Sequence, residues 1–318
     1  MFAAYAAHTD PARPLEGLVL GDRPDPEPRP GWTTVTVRAA SLNHHDLWSL
    51  RGVGLAPEKL PMILGCDASG VDEDGNEVVV HSVIGGAGSG STEPRSILTE
   101  HYQGTFAERV AVPAANVLPK PPELTFEEAA CLPTAWLTAY RMLFTNAGVR
   151  PGDSVLVQGA GGGVATAAVV LGSAAGLRVY ATSRDAAKRA RAVALGATAA
   201  YEPGARLPHR VDAVIETVGA ATWSHSVKSL RPGGTLVIAG ATSGDRPDHA
   251  ELTRIFFLEL KVAGSTMGSR DELAGLLSFC AVKGVRPVID EVLPLDRARE
   301  GFEKMASGSL FGKVVLTP

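Results

Sequence analysis

Apolar and polar residues alternate along residues 33–39, with Thr34-Val35-Thr36-Val37-Arg38 at the centre, and this period of two predicts a half-buried strand. Pro24, Pro26, Pro28 and Pro30 precede it and mark an extended surface loop. Shorter strand-like runs follow at residues 77–83 and 107–112. The glycine- and serine-rich stretch between them, residues 85–91, reads as a mobile loop. After Pro119, Pro121 and Pro122 the rhythm changes. Residues 154–158 read as a strand, a helix begins at about Val164, residues 178–182 are a strand, and a second helix covers about 185–195. Further strands are expected at 211–215 and 235–239. Such alternation predicts a parallel sheet with helices on both faces. Residues 288–293 and 313–316 are strand-like again and are expected to return to the first domain. No internal repeat is visible.

At 318 residues the chain exceeds what one hydrophobic core usually holds, and its 45% apolar content can supply two. The expected division is a β-rich domain over residues 1–122, a dinucleotide-binding domain over 123–266, and a return to the first domain over 267–318. Thirty Lys and Arg against 34 Asp and Glu give a net charge of −4 with no long single-sign run, which argues against a nucleic-acid partner. The start of the chain lacks a basic region followed by an apolar stretch, so a cytoplasmic location is expected. The most apolar window, residues 164–182, is broken by Gly172, Gly176 and Arg178, and reads as buried helix plus strand, with no membrane partner implied. Cys66, Cys131 and Cys280 are odd in number and widely spaced, which suggests no disulfide framework.

The most informative segment is Val155-Leu156-Val157-Gln158 running into Gly159-Ala160-Gly161-Gly162-Gly163-Val164-Ala165. A strand, a glycine turn and a helix in that order let backbone N–H groups approach a pyrophosphate, whose charge meets the positive end of the helix. A strict G-x-G-x-x-G is absent. Gly159, Gly162 and Ala165 give a three-residue spacing instead, with Ala serving helix–strand packing. At the end of the second strand, where an acid would bind the ribose 2′-hydroxyl of NAD, the chain has Ser183. Arg184 and Lys188 lie four apart on one helix face and could neutralise a 2′-phosphate, so NADPH is the expected cofactor. The alternative is that both are solvated cations, with Asp185 as a helix cap or a displaced ribose ligand.

Ala40-Ser41-Leu42-Asn43-His44-His45-Asp46, Ile63-Leu64-Gly65-Cys66-Asp67-Ala68-Ser69-Gly70, Gly104-Thr105-Phe106-Ala107-Glu108, residues 129–140 and Phe311-Gly312-Lys313-Val314-Val315 together resemble the medium-chain dehydrogenase/reductase superfamily across nearly the whole chain. The resemblance implies an α/β protein: a GroES-like β-rich domain built from both chain ends, a doubly wound Rossmann domain between them, an active site in the cleft, and usually a homodimer. It also implies cofactor contacts at Gly159, Gly162, Gly163 and Val164 of the turn, and at Thr134, Tyr201, Thr217, the Gly240 loop and Lys313. Tyr201 as a strand end and Lys313 as an exposed cation are the bland alternatives.

Zinc-dependent alcohol dehydrogenases of this superfamily use a Cys, a His and a second Cys. The corresponding positions look like Asn43, Cys66 and the neighbourhood of Thr134 and Ala135, where one strong ligand remains. Residues 78–101, which should carry a structural zinc, contain no cysteine. No metal is therefore expected, although a set drawn from His44 or His45, Asp46, Cys66 and Asp67 is an alternative. The resemblance is then to the zinc-free branch, the quinone oxidoreductases and enone reductases. Without a Lewis acid, hydride transfer needs an acceptor that is already electrophilic, a quinone or an α,β-unsaturated carbonyl. Asn43, His44 and His45 are the available donors to a developing enolate, and water or a histidine supplies the proton. Trp48 and Tyr140 are candidates for one wall of an apolar pocket. A zinc-dependent alcohol dehydrogenase and a catalytically idle NADPH-binding sensor or assembly protein are the competing readings.

Overall fold

The computed structural model describes residues 1–27, 29–86 and 94–318. The chain forms two compact units, Met1–Ala135 with Gly268–Pro318, and Trp136–Met267. Most of the glycine- and serine-rich stretch, residues 87–91, lies outside the described residues. Residues 123–135 group with the first unit instead of the dinucleotide domain. The physical reason is burial: Ala130 and Cys131, at the end of helix Phe126–Ala130, pack against Ala39 and Val315 of the first unit's sheet.

The alternating run becomes the strand Trp32–Ser41, where Val35, Val37 and Ala39 are buried and Thr36 and Arg38 exposed. Its last residues, Ala39, Ala40 and Ser41, are buried on both faces. The strand lies in a seven-stranded sheet, in the order Val117–Pro119, Glu77–Val80, Asp67–Val71, Trp32–Ser41, Lys313–Thr317, Ile289–Pro294, with Arg109–Pro113 also paired to Trp32–Ser41. The C-terminal strand Lys313–Thr317 is thus inserted antiparallel beside Trp32–Ser41 and parallel to Ile289–Pro294. Residues 313–316 sit in the core because both faces of this central position are covered.

The second unit holds a six-stranded, wholly parallel sheet. Its order is Ala199–Tyr201, Arg178–Thr182, Ser154–Val157, Val211–Glu216, Leu230–Ile238, Lys261–Gly264. Counted within this unit the order is 3-2-1-4-5-6, the Rossmann arrangement, and its switch point falls beside the first strand. Ser154–Val157 is buried throughout, as a central parallel strand requires. Helix Gly163–Ala174 approaches the sheet closely at Gly172, where a Cβ would stand 2.9 Å from Val179 Cγ2. Among the described residues no helix is long and apolar enough to cross a membrane.

The chain re-enters the first unit at Gly268, whose carbonyl accepts a hydrogen bond from His81 Nε2 at 2.9 Å. His81 is buried, and its own N–H bonds Asn116 O at 2.7 Å. Burial lowers the His81 pKa below its usual value of 6.5, against the opposing pull of the Gly268 bond. Below pH 6.5 the unfolded chain therefore takes up a proton that the folded imidazole resists, and stability falls as pH drops toward the folded pKa. The effect amounts to at most about 1.4 kcal/mol per pH unit for one histidine. Urea titrations between pH 7.5 and 5.5 should show this loss, and His81→Gln should reduce its slope; an unchanged slope would contradict the assignment.

Candidate active site

In the second unit the switch point is occupied by the glycine turn. Gly159 and Gly161 have φ of 74° and 124°, conformations that L side chains rarely adopt. Ala160 N–H donates to Thr182 O at 2.7 Å, which ties the turn to the end of the second strand. At Gly162 a Cβ would meet nothing within 4 Å, so the backbone faces open space where the 12-residue helix Gly163–Ala174 begins. That helix has no acidic residue in its first turn, leaving the positive end of its dipole uncompensated by carboxylates. Val164, its second residue, is half-buried. The turn thus fits a dinucleotide pyrophosphate.

The neighbouring loop gives each expected residue a place. Ser183 is buried, and its hydroxyl accepts the N–H of Asp185 at 3.2 Å. Asp185 caps helix Ala186–Ala194, its Oδ1 accepting Ala187 N–H at 2.7 Å and Lys188 N–H at 3.2 Å. Arg184 is exposed. Lys188 lies along the glycine turn, its Cδ 2.8 Å from where a Cβ on Gly161 would stand. Tyr201 accepts the N–H of Ser183 through its carbonyl at 3.0 Å. Thr217 and Gly240 lie in the loops that follow the adjacent strands Val211–Glu216 and Leu230–Ile238, with a Cβ on Gly240 only 3.1 Å from Thr217 O.

Three residues that sequence reasoning passed over hold this rim in shape. Arg189 Nη1 donates to the carbonyls of Ser183 at 2.7 Å and Arg184 at 3.1 Å. The buried carboxylate of Glu216 accepts the N–H groups of Val218 and Gly219 at 2.7 and 3.0 Å and the hydroxyls of Thr222 and Ser226 at 2.8 and 2.6 Å. Gln158 links Thr182 to Ser226. Arg189 is hidden in sequence among other basic residues, and a charged Glu216 at the end of an apolar strand was the available signal.

In the first unit a buried polar cluster underlies the His44-His45 loop. Lys313 is 3% exposed, and its Nζ donates to Leu42 O at 2.6 Å, Asn43 Oδ1 at 2.6 Å and Asp67 Oδ2 at 3.4 Å. Asp67 Oδ2 also accepts Asn43 Nδ2 at 2.8 Å and has the Ser41 hydroxyl at 2.9 Å, while Asp67 Oδ1 has no partner. The second amide hydrogen of Asn43 reaches Ser41 O at 3.3 Å. Two expectations therefore change. Lys313 is neither an exposed cation nor a free donor for a cofactor, because its three hydrogens meet three protein acceptors. Asn43, expected as a donor to substrate, is buried with both amide hydrogens already committed.

The two histidines differ from each other. His44 is exposed by area yet flanked by protein, and desolvation, followed by the positive charges of Lys313 and Arg51, lowers its pKa. His45 is half-buried, with Nε2 2.9 Å from Thr99 Oγ1. Desolvation also lowers its pKa, opposed by Glu100 and Asp67. Both imidazoles are thus favoured in the neutral form that can donate one N–H. Thr99, another residue that no sequence pattern indicated, is a β-branched residue at φ 79°, held by Tyr102 O at 2.9 Å. Asp46 accepts the N–H groups of Asn43 at 2.8 Å and Gly65 at 3.1 Å, and burial pushes its carboxyl up to about 7 against those bonds.

The positions expected to correspond to zinc ligands offer a single thiol. Burial, reinforced by Asp46 and Asp67, pushes the Cys66 thiol well above its usual pKa, and it donates to Leu98 O at 3.4 Å. Thr134 is half-buried beside Ser82, Oγ1 to Oγ 3.4 Å, and Ser82 in turn donates to Cys66 O at 2.7 Å. Asn43 Oδ1 already faces the Lys313 ammonium. Among the described residues no three His, Cys, Asp or Glu side chains form a group that could hold a metal ion.

A parallel sheet in Rossmann order with a glycine turn at its switch point, accompanied by a GroES-like β unit, defines a nicotinamide-dinucleotide-dependent oxidoreductase. The alcohol dehydrogenase GroES-like domain family matches residues 29–122, and the zinc-binding dehydrogenase family matches residues 163–282. A zinc-type alcohol dehydrogenase-like protein of Schizosaccharomyces pombe is 31% identical, over 90% of this chain and 91% of its own. An acryloyl-coenzyme A reductase of Sulfurisphaera tokodaii is 29% identical, over 96% of this chain and 98% of its own. A crystal structure of an NAD-dependent alcohol dehydrogenase superimposes with a TM-score of 0.90 at 36% identity, covering 100% of both chains. The chain belongs to the medium-chain dehydrogenase/reductase superfamily.

Two glycine substitutions separate folding from cofactor binding. Gly159→Ala puts a Cβ 2.6 Å from Val218 Cγ2 at a positive φ, and should lower the melting temperature measurably. Gly162→Ala fills only open space, so its melting temperature should match the parent while dinucleotide affinity falls at least tenfold. Unchanged affinity in Gly162→Ala, measured by fluorescence titration, would remove the turn from the binding site.

Proposed function

We propose that this protein is an NADPH-dependent, zinc-independent oxidoreductase that delivers hydride to a quinone or an α,β-unsaturated carbonyl compound. The observation that carries the reading is the Lys313 ammonium seated on Asn43 Oδ1 and Asp67 Oδ2. A divalent cation brought to these donors would meet a resident positive charge, an amide already bonded and one high-pKa thiol. The residues present do not fit a catalytic zinc. With no metal to polarise a simple carbonyl, the acceptor must bring its own electrophilicity. The name of the acryloyl-coenzyme A reductase relative agrees with such an acceptor.

When bound, the reduced dinucleotide supplies the hydride. The chain's own part is positioning and hydrogen bonding. The neutral imidazoles of His44 and His45 are the donors available to a developing enolate oxygen, with His45 oriented by Thr99. Arg184, exposed at the loop, and Lys188, across the glycine turn, favour the 2′-phosphate of NADPH. The protein should oxidise NADPH with a quinone or enone after dialysis against EDTA, retaining less than about 0.1 equivalent of zinc. Arg184→Ala should weaken NADPH at least tenfold and NADH less than twofold. Activity that disappears with EDTA and returns with zinc would favour an alcohol dehydrogenase. NADPH binding without turnover of any acceptor would favour an idle sensor.

We read the assembly as a homodimer. Lys261–Gly264 is the edge strand of the six-stranded sheet, and Val262 is exposed there, with Leu252, Phe256 and Phe257 exposed on the preceding segment. Apolar exposure beside an unpaired strand edge favours self-association. Phe257→Glu should convert a dimer to a monomer by light scattering; a monomeric parent would overturn the reading.

A further inference from the structure

We propose that Lys313 is a positioning residue for the reaction: from the C-terminal strand, its ammonium fixes the amide of Asn43 and so sets the loop that presents His44 and His45. The inference rests on the reading of that loop as the substrate-facing one. Leu42 O and Asn43 Oδ1, each 2.6 Å from Nζ, belong to adjacent residues at the point where strand Trp32–Ser41 gives way to helix His44–Leu50. One cation therefore grips both the backbone and the side chain of the turn.

The charge also decides which way the amide points. An asparagine amide turned by 180° keeps its shape but exchanges donor and acceptor, so shape alone does not select an orientation. Facing an ammonium, only the oxygen is tolerated, and Nδ2 is then directed to Asp67 Oδ2 at 2.8 Å and Ser41 O at 3.3 Å. Asp67 is fully buried, and Lys313 is its charge partner. From the same residue, Asn43 N–H donates to Asp46 Oδ2, and Asp46 Oδ1 accepts Gly65 N–H. The turn at Leu42 and Asn43 that leads into His44 and His45 is thus suspended between the Lys313–Asp67 pair and the Asp46 bridge. Removing the ammonium would leave the Asp67 carboxylate buried without its charge partner and free the Asn43 amide to turn.

This role is distinguishable from a cofactor contact, which the family resemblance implied for Lys313. In the intact protein, Lys313→Met should lower kcat with a quinone or enone by 10- to 100-fold while the NADPH Kd, measured by fluorescence, stays within twofold. Lys313→Arg should recover part of the lost kcat, and NMR of histidine-labelled protein should show the His44 and His45 ring signals moved in Lys313→Met, with those of His209 and His249 in place. A tenfold rise in NADPH Kd with kcat retained would make Lys313 a cofactor contact and overturn the proposal, as would unmoved His44 and His45 signals. If Lys313→Met fails to fold, the charge-balanced pair Lys313→Met with Asp67→Asn carries the same readouts. If the parent reduces no quinone or enone, the substrate reading fails, and the NMR and Kd measurements still decide the place of Lys313.

Discussion

The first unit is organised around a charge buried at the seam of the chain's two ends. Asp67 and Lys313 are 246 positions apart, yet Nζ and Oδ2 lie 3.4 Å from each other with both side chains shielded from water. Isolated, either charge would be prohibitive in the core, and deleting one member of such a pair generally costs about 3–5 kcal/mol. What makes the arrangement tenable is the ring of further acceptors and donors, Leu42 O, Asn43 and Ser41, that shares the charge. The pair exists only because the last strand is inserted next to Trp32–Ser41. Its formation therefore depends on closure of the whole sheet.

The second unit solves a different problem, that of holding loops open at the ends of parallel strands without losing their shape. Glu216, Gln158, Thr182 and Ser226 form one hydrogen-bonded chain beneath the strand ends, and Arg189 clamps two carbonyls of the adjacent loop. These buried polar contacts leave Gly162 and the start of helix Gly163–Ala174 facing open space. Rigid support below and an unobstructed backbone above are what an anionic ligand at a helix N-terminus requires.

Much of the fold could be read from periodicity. The strands at residues 154–158, 178–182, 211–215 and 313–316 appear within a residue or so of their expected limits, because a fully buried strand must be apolar along its length. Boundaries set by packing were harder. Residues 123–135 follow a proline cluster that resembles a domain border, but their burial against Ala39 and Val315 assigns them to the first unit. Thr99 had no local signature, since its hydroxyl acquires a role only from His45, 54 positions away.

By itself, then, the amino-acid sequence determined the local chemistry: the strand, glycine turn and helix around residues 154–174, and the presence of only one thiol among the positions that could have bound zinc. These follow from neighbours a few bonds apart, where residue type and spacing are sufficient. Only the tertiary structure decided which groups Asn43 and Lys313 bond to. Which acceptors a lysine meets, and whether an asparagine has a hydrogen left for a ligand, depend on strand order and burial, and these bring together residues 43, 67 and 313 that no local pattern connects.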